Sequence, residues 1–130
     1  MKEVYEALVL AVDADSDLST TFPNGLFNDT GFDSQGLPVL IVSGLSEVPT
    51  YMTCSTSIDE IRIQFTVFTT TDSQCFDALG YLKAEFDEKT LSMANTSCIR
   101  MGRVAATPPR KIDDAWRGTI DYLITKQDNP

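Results

Sequence analysis

Histidine is missing from the 130 residues altogether. Its absence removes the commonest general base and the commonest metal ligand. Carboxylates, lysine and cysteine remain, so catalysis is disfavoured rather than excluded. Cations are also scarce: ten Lys and Arg stand against nineteen Asp and Glu, for a net charge of −9. Such a balance argues against wrapping nucleic acid, which draws mainly on Lys and Arg against phosphate. No apolar run approaches the roughly 20 residues of a membrane-spanning helix. The opening Met-Lys-Glu-Val-Tyr-Glu turns acidic too early for a signal peptide. Cysteine occurs three times, as Cys54, Cys75 and Cys98, with neither C-x-x-C spacing nor an even count. Without an export signal these read as reduced, cytosolic thiols, with Cys75 and Cys98 as small core residues. Internal repeats, linkers and low-complexity tracts are lacking too, so residues 1–130 read as one domain.

The organising stretch is 58–87. Ile61, Ile63, Phe65 and Val67 alternate with Glu60, Arg62, Gln64 and Thr66. Period two with β-branched and aromatic residues predicts a half-buried strand. Its polar face points to an antiparallel sheet with one wet or partner-facing side. The period then changes. Cys75, Leu79, Leu82 and Phe86 recur at helical spacing, predicting an amphipathic helix over 73–88 with Asp72 or Ser73 as its N-cap.

In the N-terminal stretch, residues 2–14 place Tyr5, Leu8, Val9 and Val12 on one stripe, the pattern of an amphipathic helix. Leu8 to Val12 is also consistent with a buried strand, which periodicity alone does not separate. Asp13, Asp15 and Asp17 oppose the dipole at a helix C-terminus, so the helix is expected to end near Asp13, with a solvated acidic tip. Pro23-Asn24-Gly25 is turn chemistry, Leu26-Phe27 a short strand, and 28–36 a polar loop. Pro38 opens the apolar run Val39 to Leu45, which reads as a central strand buried on both faces. Residues 46–57 are long for a hairpin turn and carry Tyr51 and Met52 among hydroxyl residues. A projecting hairpin arm and a plain loop both fit them. Cys98 to Ala105 is a further strand, which Pro108-Pro109 should break. Residues 107–114 then form a loop, Ala115 to Thr125 a last alternating strand, and 126–130 a frayed tail. The expected fold is α+β: a mainly antiparallel sheet of four to five strands with two helices packed on one face.

Candidate chemistry is thin. An apolar run ending in Asp13-x-Asp15 resembles the phosphatases of the haloacid-dehalogenase type. However, Ser16-Asp17 stands where that family has Gly-Thr or Gly-Val, and no later supporting Asp and Lys element follows. Read as an EF-hand loop, the same aspartates meet Leu18 where glycine is needed and Asn24 where the bidentate glutamate belongs. No glycine-rich phosphate loop is present, and no histidine is available to activate a cysteine. Arg100, Arg103, Arg110 and Lys111 make a small basic cluster suited to a phosphate or an acidic partner, or to surface ion pairs. No catalytic residue, cofactor site or metal site emerges. The pattern is that of an interaction or assembly protein.

Several features then combine in one order. A helix carries Tyr5-x-x-Leu8, followed by Asp17-Leu18-Ser19 and the strand Pro38-Val39-Leu40-Ile41-Val42. After a long link come Asp59 to Phe68, a helix with Ala78-Leu79-x-x-Leu82-Lys83 ending at Phe86-Asp87, and Trp116-x-x-x-Ile120-Asp121-Tyr122. Across about residues 3–125 this resembles the tail completion, or tail terminator, proteins of long-tailed bacteriophages and prophages. The cysteines and the Asp13/Asp15/Asp17 series are not features of that family. The resemblance implies a small α+β subunit that assembles as a six-membered ring on the head-proximal end of the tail tube. The ring ends tube polymerisation and presents the surface on which the head docks. It implies no enzyme activity and no cofactor. The implied partners are copies of the same chain, the tail tube protein and a head–tail connector or neck protein. DNA passes through the ring without sequence-specific binding, and no membrane is involved. The implied location is the virion, at the head-proximal end of the tail, with assembly in the host cytoplasm.

The residues fit such a role. Arg62, Gln64 and Thr66 let a sheet face meet a neighbour without a greasy patch. Glu47, Tyr51 and Met52 lie in the arm expected to touch the tail tube or an adjacent subunit, since aromatics and Met favour interface cores. Arg110 and Lys111 complete the candidate interface. Other readings are a neck or head-completion protein, an acidic DNA-mimicking inhibitor, and a magnesium-dependent phosphatase built on Asp13 and Asp15.

Overall fold

The structure, a computed structural model, describes residues 2–28, 38–52, 57–91, 96–112 and 114–128. Among these, three helices and five strands follow in the order α1 (Lys2–Ala14), α2 (Ser16–Thr21), β1 (Leu26–Asn28), β2 (Val39–Met52), β3 (Ser57–Thr69), α3 (Asp72–Phe86), β4 (Thr96–Ile112) and β5 (Ala115–Asp128). The fold is α+β. One five-stranded sheet runs β1-β2-β3-β5-β4. All its pairings are antiparallel except β1 with β2, which is parallel, so the sheet is mixed.

The inner face follows from period two. Ile61, Ile63, Phe65 and Val67 of β3 and Ile120, Tyr122 and Ile124 of β5 are fully buried. They join Val4, Leu8 and Val12 of α1, Leu18 of α2, and Cys75, Leu79, Leu82 and Phe86 of α3 in a single apolar cluster. Phe65 stacks on Phe86 with centroids 4.9 Å apart, and Tyr122 meets both rings edge-on. Burying a side chain of this size contributes about 1.5–3 kcal/mol. Gly118 sets how closely α3 approaches: a Cβ there would lie 2.6 Å from Leu79 Cδ1 and 3.2 Å from Cys75 Sγ. Burial pushes the Cys75 thiol pKa up, and a hydrogen bond from Thr69 only partly offsets this, so Cys75 is a core residue rather than a nucleophile.

Several expectations are corrected. A third helix, α2, is present. Asp15 does not simply decorate a helix end: its carboxylate caps α2, accepting from the backbone N–H groups of Asp17 and Leu18 at 3.0 Å each. This satisfies two orphan donors in the turn that buries Leu18. The N-cap of α3 is Thr71, whose hydroxyl accepts from Gln74 N–H. Asp72 already lies inside the helix. The strand 39–45 is second in the sheet, and β3 is central. Val39 to Val42 are buried as expected, whereas Leu45 is exposed.

The strands also run further than the pattern implied. Residues 46–52 continue β2 and pair with β3 as far as Met52↔Ser57. The arm is therefore a hydrogen-bonded hairpin, with residues 53–56 outside the described set. Pro108 and Pro109 do not break β4. They sit at a register shift between Thr107 and Arg110, and the strand continues to Ile112. Proline is tolerated there because β4 is an edge strand, with no strand pairing its outer side among the described residues. The expected loop 107–114 is thus strand up to Ile112, and β5 runs to Asp128, into the expected tail 126–130, whose last two residues lie outside the described set. The polar loop expected over 28–36 falls mostly outside the described residues, as do Cys54 and the side chain of Cys98.

Candidate interaction surface

The outer face of the sheet is arranged in rows set by register. Ile41, Thr66, Thr119 and Thr107 lie side by side across β2, β3, β5 and β4. The row on one side is Ser43, Gln64, Asp121 and Ala105. The row on the other is Val39, Phe68, Arg117 and Arg110. On β3 these residues are even-numbered and the inner ones odd, and on β5 the reverse, so the same alternation that builds the core composes this surface.

Its centre is a polar knot. Asp121, only 8% exposed, accepts from Gln64 Nε2 through Oδ1 and from Arg62 Nη2 through Oδ2, each at 2.9 Å. Gln64 is its direct cross-strand partner and Arg62 lies one pleat further along β3. Arg62 Nε is buried and has no hydrogen-bond partner among the described residues. Arg62 and Gln64, candidates for a partner contact, are therefore already engaged with Asp121. The carboxylate partner was missed because it lies 57 residues away from Gln64 in sequence. The only signal for it was Asp121's place on the polar side of an alternating strand.

Beside the knot the face hollows into a groove of two adjoining lobes. One, of about 200 Å³, is lined by Gln64, Thr107, Arg110, Ile112, Arg117 and Thr119. The other, of about 390 Å³, shares Gln64, Ile112 and Arg117 with it and reaches Ile41 and Phe68. Arg110 and Arg117 are directly paired across β4 and β5. No carboxylate pairs with either among the described residues. Like charges directly opposite one another destabilise a sheet.

The basic cluster expected around Arg100 to Lys111 is split by the fold. Arg100 reaches Glu88 at 3.4 Å and Arg103 reaches Asp87 at 3.7 Å, near the end of α3. The first pair is largely exposed and the second partly so, and both are long contacts that contribute little. Arg110 instead joins Arg117, which sequence spacing had not singled out, and Lys111 lies opposite Trp116. Glu47, Tyr51 and Met52 are placed by backbone register alone, opposite Ile61, Ile58 and Ser57 on the β2–β3 hairpin. Their side chains lie outside the described set. Among the described residues no group of His, Cys, Asp and Glu is arranged to hold a metal ion, and no helix is long and apolar enough to cross a membrane.

The length of the ladders is the remaining feature. Strands of 13 to 17 residues extend roughly 45–55 Å at about 3.3 Å per residue. The 15-residue α3 spans only about 22 Å at 1.5 Å per residue. The four long strands therefore outspan this helix, and residues 103–108 and 110–112 of β4 are exposed.

No family model matches this sequence, and no curated protein does. Among solved structures the chain is similar to one described as "Virion of native gene transfer agent (GTA) particle", with a TM-score of 0.72 at 13% identity. The alignment covers 99% of this chain and 96% of that one. The two share a fold from end to end.

Proposed function

We propose that this protein is a structural subunit of a phage-like virion, and that it works as a tail terminator. Copies of the chain close into a ring, six-membered in the family it resembles, on the head-proximal end of a tail tube. The ring stops further polymerisation and offers the docking surface for the head. Binding and geometry do the work, without a chemical step. The observation that carries this reading is the fold shared over nearly its whole length with a virion chain. The sequence resemblance, the long hairpins and the mostly polar outer face support it. In this reading the β2–β3 hairpin, with Glu47, Tyr51 and Met52, lies against the tube or a neighbouring subunit. A ring of chains each carrying −9 would repel duplex DNA and let it slide through without sticking.

Native mass spectrometry across a concentration series, with negative-stain imaging of large species, tests the reading. The expected result is a closed oligomer of the 14.3 kDa chain with a central hole, which binds purified tails. Binding to filled heads but not to tails would replace the terminator role with a neck role. A chain that stays monomeric and binds neither would overturn the assembly reading.

A further inference from the structure

We propose that successive copies of this chain meet head to tail, the acidic Leu10 edge of one copy seated in the Arg110–Arg117 groove of the next. This rests on the ring reading above and names the contact that closes it.

The groove has an unmet electrostatic need. Arg110 and Arg117 stand side by side without a carboxylate among the described residues, in a chain where acids outnumber bases nearly two to one. Holding two guanidinium groups together is unfavourable until an anion lies between them. Their neighbour Ile112 is 40% exposed, a large apolar side chain in both lobes of the groove. The occupant that fits is acidic with an apolar tip.

The chain carries such a surface itself. Leu10 is 69% exposed, the most exposed large apolar residue described. Asp13 follows one helical turn later, and Asp17 stands in the first turn of α2. Both aspartates are exposed, and neither has an ion pair among the described residues. Asp15 is occupied in capping α2 and takes no part.

Topology makes the match intermolecular. Helix α1 packs beside β1, one edge of the sheet, whereas Arg110 is on β4, the opposite edge. The two patches therefore belong to elements at opposite edges of the sheet within one chain. A contact between two different patches of the same chain is heterologous, and repetition closes a ring when the rotation allows.

Charge reversal tests this. One double variant carries Arg110→Glu and Arg117→Glu, the other Asp13→Lys and Asp17→Lys. All four side chains are exposed or half-exposed, so thermal melts of the monomers check that both variants fold. Each variant alone is expected to self-associate about tenfold or more weakly than the wild type, since buried interfacial charge pairs couple strongly. Mixed in equal amounts, they should recover assembly, because wild-type and doubly reversed contacts then alternate around the ring. Analytical ultracentrifugation reads all three. A wild-type ring with unaffected variants overturns this contact and leaves the ring reading standing. Loss in both variants without recovery on mixing also overturns it, since the two patches then do not face one another. A wild-type chain that never self-associates, even on tails, removes the ring reading and this contact with it.

Discussion

Replacing Asp121 with alanine removes the acceptor for both polar side chains at the centre of the outer face. Its two oxygens each take one hydrogen bond of 2.9 Å, from Gln64 and from Arg62. A hydrogen bond to a charged acceptor contributes about 1.5 kcal/mol or more when desolvated. The Arg62 side chain is 41% exposed, so water screens that half of the knot to about 0.5–1 kcal/mol. Gln64 is half-buried and keeps nearly the full value. The expected loss for Asp121→Ala is therefore about 2 kcal/mol, a substantial share of the ~5–15 kcal/mol typical of a domain. For a chain of this length that lowers Tm by roughly 6–10 °C. Urea unfolding followed by the single tryptophan, Trp116, measures it, with Asp114→Ala on the exposed turn as a control expected within about 0.5 kcal/mol of wild type. A double-mutant cycle with Gln64→Ala should return a coupling of about 1 kcal/mol, larger than the cycle with Arg62→Ala. Coupling below about 0.3 kcal/mol in both cycles would refute the knot as a source of stability and leave Asp121 as a bystander.

Two further outcomes follow from the interior and the first helices. The Tyr122 hydroxyl donates to Asp87 at 2.7 Å. Burial first, then the hydrogen bond and the Asp87 charge, hold its ionisation well above the ordinary phenol range, with Arg103 opposing. A folded pKa above the unfolded one means that stability is fully present below about pH 10 and is lost as pH rises past it. Tyr122→Phe should cost about 1–2 kcal/mol at pH 7 and flatten the decline in stability measured by urea unfolding between pH 9 and 11. Equal slopes for both proteins would contradict this. Asp15→Ala should cost about 1 kcal/mol through loss of the α2 cap, whereas Asp13→Ala should leave the melting temperature nearly unchanged. Equal effects from the two would show that the aspartates act only as a charged tip.

Most of the core was legible in the sequence. Ile61 to Val67 and Cys75 to Phe86 lie on the faces that periods of two and 3.6 assign them, and Ile120, Tyr122 and Ile124 are buried together as their alternation requires. Those assignments depend only on neighbours within a few residues, which is the range over which periodicity carries information. The capping role of Asp15 was hidden because a three-aspartate series looks the same whether it ends one helix or starts another. The length of β4 was hidden because proline forbids a central strand but not an edge strand, and edge position is a property of the whole sheet.

The sequence alone therefore determined the α+β class, the inner faces and the acidic balance, since each follows from local pattern or from composition. Only the tertiary structure decided which polar residues meet. Gln64 with Asp121, and Arg110 with Arg117, are joined by strand order and by the register shifts in β4. A shift of one residue turns a side chain to the other face of the sheet. The candidate surface is thus written in register, which is fixed only when all the strands are packed.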